Sequence, residues 1–202
     1  KDYCPMLSAA GMVTDAEWMD VDGDKITDLV ITGEWMPIRI FKNQTKSFTE
    51  ITEQSGLAGT YGMWRSVTTA DLDKDGDLDF VAGNIGLNNK YHFNTSHPLN
   101  MWYADLDGNG FHDPIMGYYI PTATGKKELY PALGLDEIVT QVPAIKKTYL
   151  LHKNFSTATM ADVFRSVPEP AKLIAAEAAT SWFENTGNGS FKQHPLPAGA
   201  QF

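Results

Sequence analysis

Short apolar runs separated by turn residues set the pattern of this chain. Leu29-Val-Ile-Thr32, Phe80-Val-Ala82 and Ile115-Met-Gly-Tyr-Tyr-Ile120 are β-branched or aromatic and read as strands. Each follows a polar stretch with another such run before it: Trp18-Met19, Val67-Thr-Thr-Ala70 and Met101-Trp-Tyr-Ala104. Three β-hairpins are therefore predicted, each closed by a polar turn. Two further strand pairs are expected, 38–43 with 47–51 and 181–185 with 190–193, the second pair joined through Thr186-Gly-Asn-Gly189. Between 133 and 180 the period changes. Asp136-Glu-Ile-Val139, Ile145-Lys-Lys-Thr-Tyr-Leu-Leu151, Thr157-Ala-Thr-Met-Ala-Asp-Val-Phe164 and Ala171-Lys-Leu-Ile-Ala-Ala-Glu-Ala-Ala179 have helical spacing.

The polar turns are alike. Asp20-Val-Asp-Gly-Asp-Lys-Ile-Thr-Asp28, Asp71-Leu-Asp-Lys-Asp-Gly-Asp-Leu-Asp79 and Asp105-Leu-Asp-Gly-Asn-Gly-Phe-His-Asp113 put oxygen-bearing side chains at positions 1, 3, 5 and 9. Donors on alternate residues of a tight turn converge on one point, and the carboxylates repel unless a cation joins them. Ca²⁺ suits such a site, since it accepts roughly 6–8 oxygens in loose geometry. The expected ligands are Asp20, Asp22, Asp24 and Asp28; Asp71, Asp73, Asp75 and Asp79; and Asp105, Asp107, Asn109 and Asp113. The carbonyls of position 7 (Ile26, Asp77 and Phe111) are expected to add one ligand each, with the Asp77 side chain facing solvent. About three ions follow. An EF-hand needs a bidentate Glu at position 12 and flanking helices. Here position 12 is Ile31, Ala82 or Met116, and the flanks read as strands.

The loops open at residues 20, 71 and 105, a period of the kind found in solenoids and propellers. A turn hairpin joined to an outer strand pair gives four antiparallel strands, the content of a propeller blade. The fold class expected is all-β with a helical insertion, as about three four-stranded blades of a larger propeller. Their bounds are about 10–55, 60–95 and 98–195, with the insertion at about 134–178 inside the third.

Composition narrows the function. Of the 25 Asp and Glu, 12 lie in the three loops, and three divalent cations would bring the formal charge from −9 to −3. The acidity is thus a metal signature. With no Lys/Arg cluster to track phosphates, a nucleic-acid partner is not expected. Cys4 is the one cysteine, so no intrachain disulfide exists. No apolar run approaches the roughly 20 residues that cross a bilayer as a helix.

These residues resemble a known family. Asp-x-Asp-x-Asp-Gly-x-x-Asp, an apolar strand, and a Phe-x-Asn…Gly-x-Phe hairpin are similar to the FG-GAP/VCBS repeat of integrin α-subunit propellers and many bacterial surface proteins. Met12-Val-Thr-Asp15, Gly33-Glu-Trp-Met-Pro37, Gly83-Asn-Ile-Gly-Leu-Asn88 and Phe183-Glu-Asn-Thr-Gly-Asn-Gly189 look like VCBS-repeat proteins related to the ASPIC/UnbV group. The first loop departs from the pattern, with Lys25 where Gly usually stands. The resemblance implies a segment of a longer propeller, partnered by further blades or by a second copy. It does not supply the ligand.

No catalytic spacing stands out. His92, His97, His112, His152 and His194 are scattered, and no Gly-x-Ser-x-Gly elbow or phosphate loop is present. Trp18, Trp35, Trp64, Trp102 and Trp182 are expected in the core, with Trp35 and Trp64 the better candidates for exposure. The expected function is a non-enzymatic, calcium-stabilised module of an extracellular or cell-surface protein. In a bacterium it would be outer-membrane-associated or periplasmic, a scaffold for protein or glycan recognition. The alternative is a calcium-dependent polysaccharide-processing enzyme of the lyase type.

Overall fold

The computed structural model describes residues 4–167 and 169–201. In chain order the strands are β1 (Met12–Met19), β2 (Asp28–Met36), β3 (Arg39–Asn43), β4 (Phe48–Glu50), β5 (Gly62–Met63), β6 (Ser66–Ala70), β7 (Asp79–Gly83), β8 (Leu99–Ala104), β9 (Asp113–Pro121) and β10 (Lys127–Pro131). Helices α1 (Leu135–Gln141), α2 (Ile145–Thr148), α3 (His152–Phe155) and α4 (Met160–Val163) follow, then β11 (Ala171–Ala175), β12 (Ser181–Asn185) and β13 (Phe191–Pro195). The protein is all-β with a helical insertion, and its antiparallel sheets are propeller-like blades. No helix among the described residues is long and apolar enough to cross a membrane, which says nothing about strands.

The chain forms two compact units, one of residues 1–92 with 175–202 and one of residues 93–174. The first holds two blades. Blade one is the meander β1-β2-β3-β4, with β5 added to β2. Blade two runs β6-β7-β12-β13, so its outer strands come from the far end of the chain. This differs from the expectation that 181–195 closes a third blade. Ser181, Trp182 and Phe183 pair with Ala82, Val81 and Phe80. The insertion therefore interrupts blade two, between its second and third strands, and it carries the third turn hairpin with it. Local periodicity cannot show this, because a strand pattern does not name its partner.

The two blades pack face to face. Met19, Val21, Val30, Ile38 and Ile40 meet Trp64, Val67, Phe80, Ala82, Phe183 and Phe191 in one buried cluster. Phe80 stacks on Phe183 at 4.6 Å, and Trp64 meets Phe183 edge-on at 5.8 Å. The Trp64 indole N–H donates to the Thr60 carbonyl at 2.7 Å, so the ring is buried without an orphaned donor. A bulge in β1 between Val13 and Asp15 re-aims two side chains toward blade two. Thr14 Oγ1 donates to the Trp64 carbonyl (2.9 Å), and Asp15 Oδ2 accepts from the Val67 amide (2.9 Å). Core placement holds for Trp35 and Trp64, but the ranking of the tryptophans by exposure is reversed by this packing. Trp64 is fully buried and Trp35 nearly so, the latter at a φ of 60° where β2 shifts register, whereas Trp18 is 55% exposed.

In the second unit the sheet order is β10-β9-β8-β11. Its core joins Ala104 and Ile115 to Leu135, Ile138, Ile145, Phe155, Met160, Val163 and Phe164. Gly117 lets the helical segment approach, since a Cβ there would lie 2.7 Å from Met160 Cγ. The stretch 171–179, expected as a helix, instead begins with strand β11 on the edge of β8. Alanine-rich propensity is a weak prior that a paired strand edge overrides. Lys172 lies 4.2 Å from the centroid of Trp102 and adds a cation–π contact there.

Candidate metal centre

Each acidic turn joins two paired strands: Met19 faces Asp28, Ala70 faces Asp79 and Ala104 faces Asp113. The turns share one backbone plan. Position 1 accepts from the amide of position 4 or 6 or both: Asp20 from Gly23 (2.8 Å) and Lys25 (2.7 Å), Asp71 from Lys74 (2.7 Å), Asp105 from Gly108 (2.8 Å) and Gly110 (2.9 Å). Position 3 accepts from the amide of position 5 in all three. Position 5 accepts from position 7: Asp24 from Ile26 (2.8 Å), Asp75 from Asp77 (3.1 Å), Asn109 from Phe111 (2.8 Å). Position 9 reaches back to the amide of position 2, so Asp28 holds Val21, Asp79 holds Leu72 and Asp113 holds Leu106, at 2.9–3.0 Å.

This plan explains the glycine pattern. Positions 4 and 6 are left-handed in every loop: Gly23 and Lys25 at φ 80° and 69°, Lys74 and Gly76 at 69° and 102°, Gly108 and Gly110 at 78° and 89°. Loops one and two each place a lysine at one left-handed position, at a cost of about 1 kcal/mol relative to glycine. The third loop has glycine at both.

The folding of each turn brings its carboxylates of positions 1, 3 and 9 to one point. Asp20, Asp22 and Asp28, then Asp71, Asp73 and Asp79, then Asp105, Asp107 and Asp113, offer oxygens within 4.8 Å of one another. Asp24 and Asp75 stand outside those groups and are turned to the position-7 amides. At position 7, Ile26 and Asp77 are half-buried and Phe111 is 76% exposed. His112 is exposed, edging the Tyr103 ring. Asp77 departs from expectation. Its Oδ1 is covered from solvent and has no hydrogen-bond partner, so that oxygen does not face water.

Electrostatics distinguish the turns. Burial raises the Asp28 carboxyl above its ordinary range, against the Val21 and Asn43 amides that hold it charged. Local desolvation within the turn raises Asp73, exposed though it is, helped by the charges of Asp75 and Asp79. Asp77 is pushed up to about 6, first by burial and then by Asp75, Asp79 and Asp73. Backbone amides act the other way: Ile26 holds Asp24 low, and Gly110 leads the donors that hold Asp105 low. The first loop also contains a cation. The Lys42 ammonium sits on Asp22, 3.3 Å from Asp24, and its own proton affinity is raised chiefly by the Asp22 contact.

Two observations test whether a cation fits. In loop one an ammonium already occupies carboxylate oxygens, a stand-in for a metal. In loop two a covered carboxylate oxygen lacks any partner, which is costly unless something positive meets it. The donor set is all hard oxygen, the chemistry of Ca²⁺ more than of a nitrogen- or sulfur-seeking metal.

Sequence reasoning missed the straps behind the turns. Asn43 and Asn185 give their amides to Asp28 (2.7 Å) and Asp79 (2.8 Å). Their side chains donate to the position-8 carbonyls, Asn43 to Thr27 (3.0 Å) and Asn185 to Leu78 (3.3 Å). Asn185 also donates to the Val21 carbonyl at 3.0 Å, tying blade two to the first turn. The shared Phe-x-Asn of 41–43 and 183–185 is the signal that could have found them.

Fold and site together define a repeat protein of propeller-like blades whose hairpins carry acidic, oxygen-only turns. Residues 20–82, from the first turn to the strand after the second, match the family described as FG-GAP-like repeat. No curated protein matches the chain.

Proposed function

We propose that each of the three turns holds one Ca²⁺ and that the metal is structural. Convergence of the carboxylates at positions 1, 3 and 9 in three turns of one plan carries this reading. The ligands would be Asp20, Asp22 and Asp28 with Asp24 and the Ile26 carbonyl; Asp71, Asp73 and Asp79 with Asp75 and Asp77; and Asp105, Asp107 and Asp113 with Asn109 and the Phe111 carbonyl. When bound, the ion neutralises carboxylates that otherwise repel across a hairpin, so binding couples to folding.

The module is proposed to be a non-enzymatic scaffold for protein or glycan recognition in an extracellular or cell-surface protein. Solvent-open turns of this sort suit the affinities of about 10⁻⁴–10⁻³ M found in extracellular calcium modules. The acids that converge are held by backbone amides within their own turns, which supports a ligand role over proton transfer.

A thermal melt in excess EDTA, in CaCl₂ and in MgCl₂ tests the reading. Calcium is expected to raise the midpoint well above both EDTA and magnesium. Equal midpoints in all three would remove the structural calcium role.

A further inference from the structure

One of the three turns contains a cation of its own, and its strand position explains how. Lys42 leaves β3 and sets its ammonium on the carboxylate of Asp22, with that of Asp24 at 3.3 Å. Both neighbours fix the base of its side chain. Phe41 is fully buried, and Asn43 is bonded to Asp28 and Thr27. The lysine therefore points at positions 3 and 5 of the first turn by virtue of the frame.

Blade two repeats that frame with the charge inverted. Phe183 faces Phe80 as Phe41 faces Leu29, and Asn185 gives its amide to Asp79 as Asn43 does to Asp28. The residue between phenylalanine and asparagine is Lys42 in one blade and Glu184 in the other. Glu184 engages His194 at 2.6 Å on the next strand. One register position of the shared frame thus carries opposite charges in the two blades.

An ammonium and a divalent cation need the same oxygens and exclude each other. Resting on the reading that these turns hold Ca²⁺, we infer that Lys42 is a tethered competitor. It ranks the first turn below the second in calcium affinity and keeps the first hairpin closed when calcium is withdrawn. Binding in the first turn requires the ammonium to swing into solvent. The lysine side chain is 29% exposed, so the way out is open. Removing the ammonium spares calcium the cost of breaking its ion pairs with Asp22 and Asp24, which at about 4 Å with solvent screening changes affinity by about tenfold or more.

Calcium titration calorimetry on the full chain tests this, with Lys42→Met, Lys42→Arg and the double variant Lys42→Met/Asp28→Asn. Lys42→Met is expected to tighten one site by about tenfold or more. Lys42→Arg keeps the charge and leaves that site weak. Adding Asp28→Asn abolishes the tightened site, which assigns it to the first turn. In EDTA the Lys42→Met chain melts below the wild type, and calcium recovers the difference; a variant that folds only with calcium supports the inference more strongly still. If Lys42→Met binds calcium with the wild-type isotherm, Lys42 is no competitor and the calcium reading stands. If neither wild type nor variant binds calcium, the reading of the turns falls and the inference with it.

Discussion

At the scale of single residues, the turns assign unlike tasks to like side chains. The aspartate of position 9 is buried and holds the amide of position 2, so it closes the hairpin whether or not a metal is bound. The aspartates of positions 1 and 3 are more exposed and cap local amides, leaving oxygens for a ligand. Asp77 belongs to neither set. Its folded-state proton affinity lies at about 6, above the ordinary 3.8. A carboxyl raised by folding keeps its proton when the unfolded chain has lost it, so without a cation this group lowers stability as pH rises through that window. Asp77→Asn removes the charge. The variant is expected to melt above the wild type in EDTA at neutral pH and to match it at a pH below 3.8. Melts at the two pH values check this, and a lower midpoint for the variant at neutral pH would contradict the buried-charge account. The side chain's place was not legible in the sequence, because position 7 is ordinarily read through its backbone.

At the scale of elements, strands and turns are joined by side chains distant in sequence. Asn185 is nearly fully buried and donates to the carbonyls of Val21 and Leu78, while its own Oδ1 accepts from Gly187. Asn43 fills the same place in blade one, but it is only half-buried. Orphaning buried carbonyls costs about 1–3 kcal/mol each, and exposed ones are satisfied by water. Asn185→Ala is therefore expected to destabilise the chain by about 2–4 kcal/mol, and Asn43→Ala by about 1 kcal/mol or less. Urea unfolding at fixed calcium measures both, and equal losses would show that burial does not separate them. The turn hairpins themselves were legible, since alternating acids between β-branched runs declare them. β11 was not, since Ala171-Lys-Leu-Ile-Ala175 reads equally well as helix until an open strand edge is available.

At the scale of the whole molecule, the insertion divides one blade between two distant segments. Residues 93–174 form their own unit with their own core, and the β7–β12 pairing that brackets them is adjacent and antiparallel. The amide of Gly86 reaches the carbonyl of Ala178 at 2.8 Å, so the two ends of blade two already meet there. A chain in which 93–174 is replaced by a short Gly/Ser linker is expected to fold cooperatively and to bind one calcium fewer than the full chain. Circular dichroism melts and calcium calorimetry measure this. A shortened chain without a cooperative transition would show that blade two needs the inserted unit.

The sequence alone determined the three turns, their hairpin context and their chemistry. Those depend on residues within a few positions of each other, where spacing dictates geometry. The glycines at positions 4 and 6 marked backbone that must be left-handed, and the acids between them marked where charge would gather. Tertiary structure decided the rest: which strands complete blade two, that Trp64 and not Trp18 fills the core, that Asn185 straps two turns, and that Lys42 sits on the first. Each of these is a contact between residues far apart in the chain. A period of two or of 3.6 says which face a side chain takes, but only packing says what that face meets.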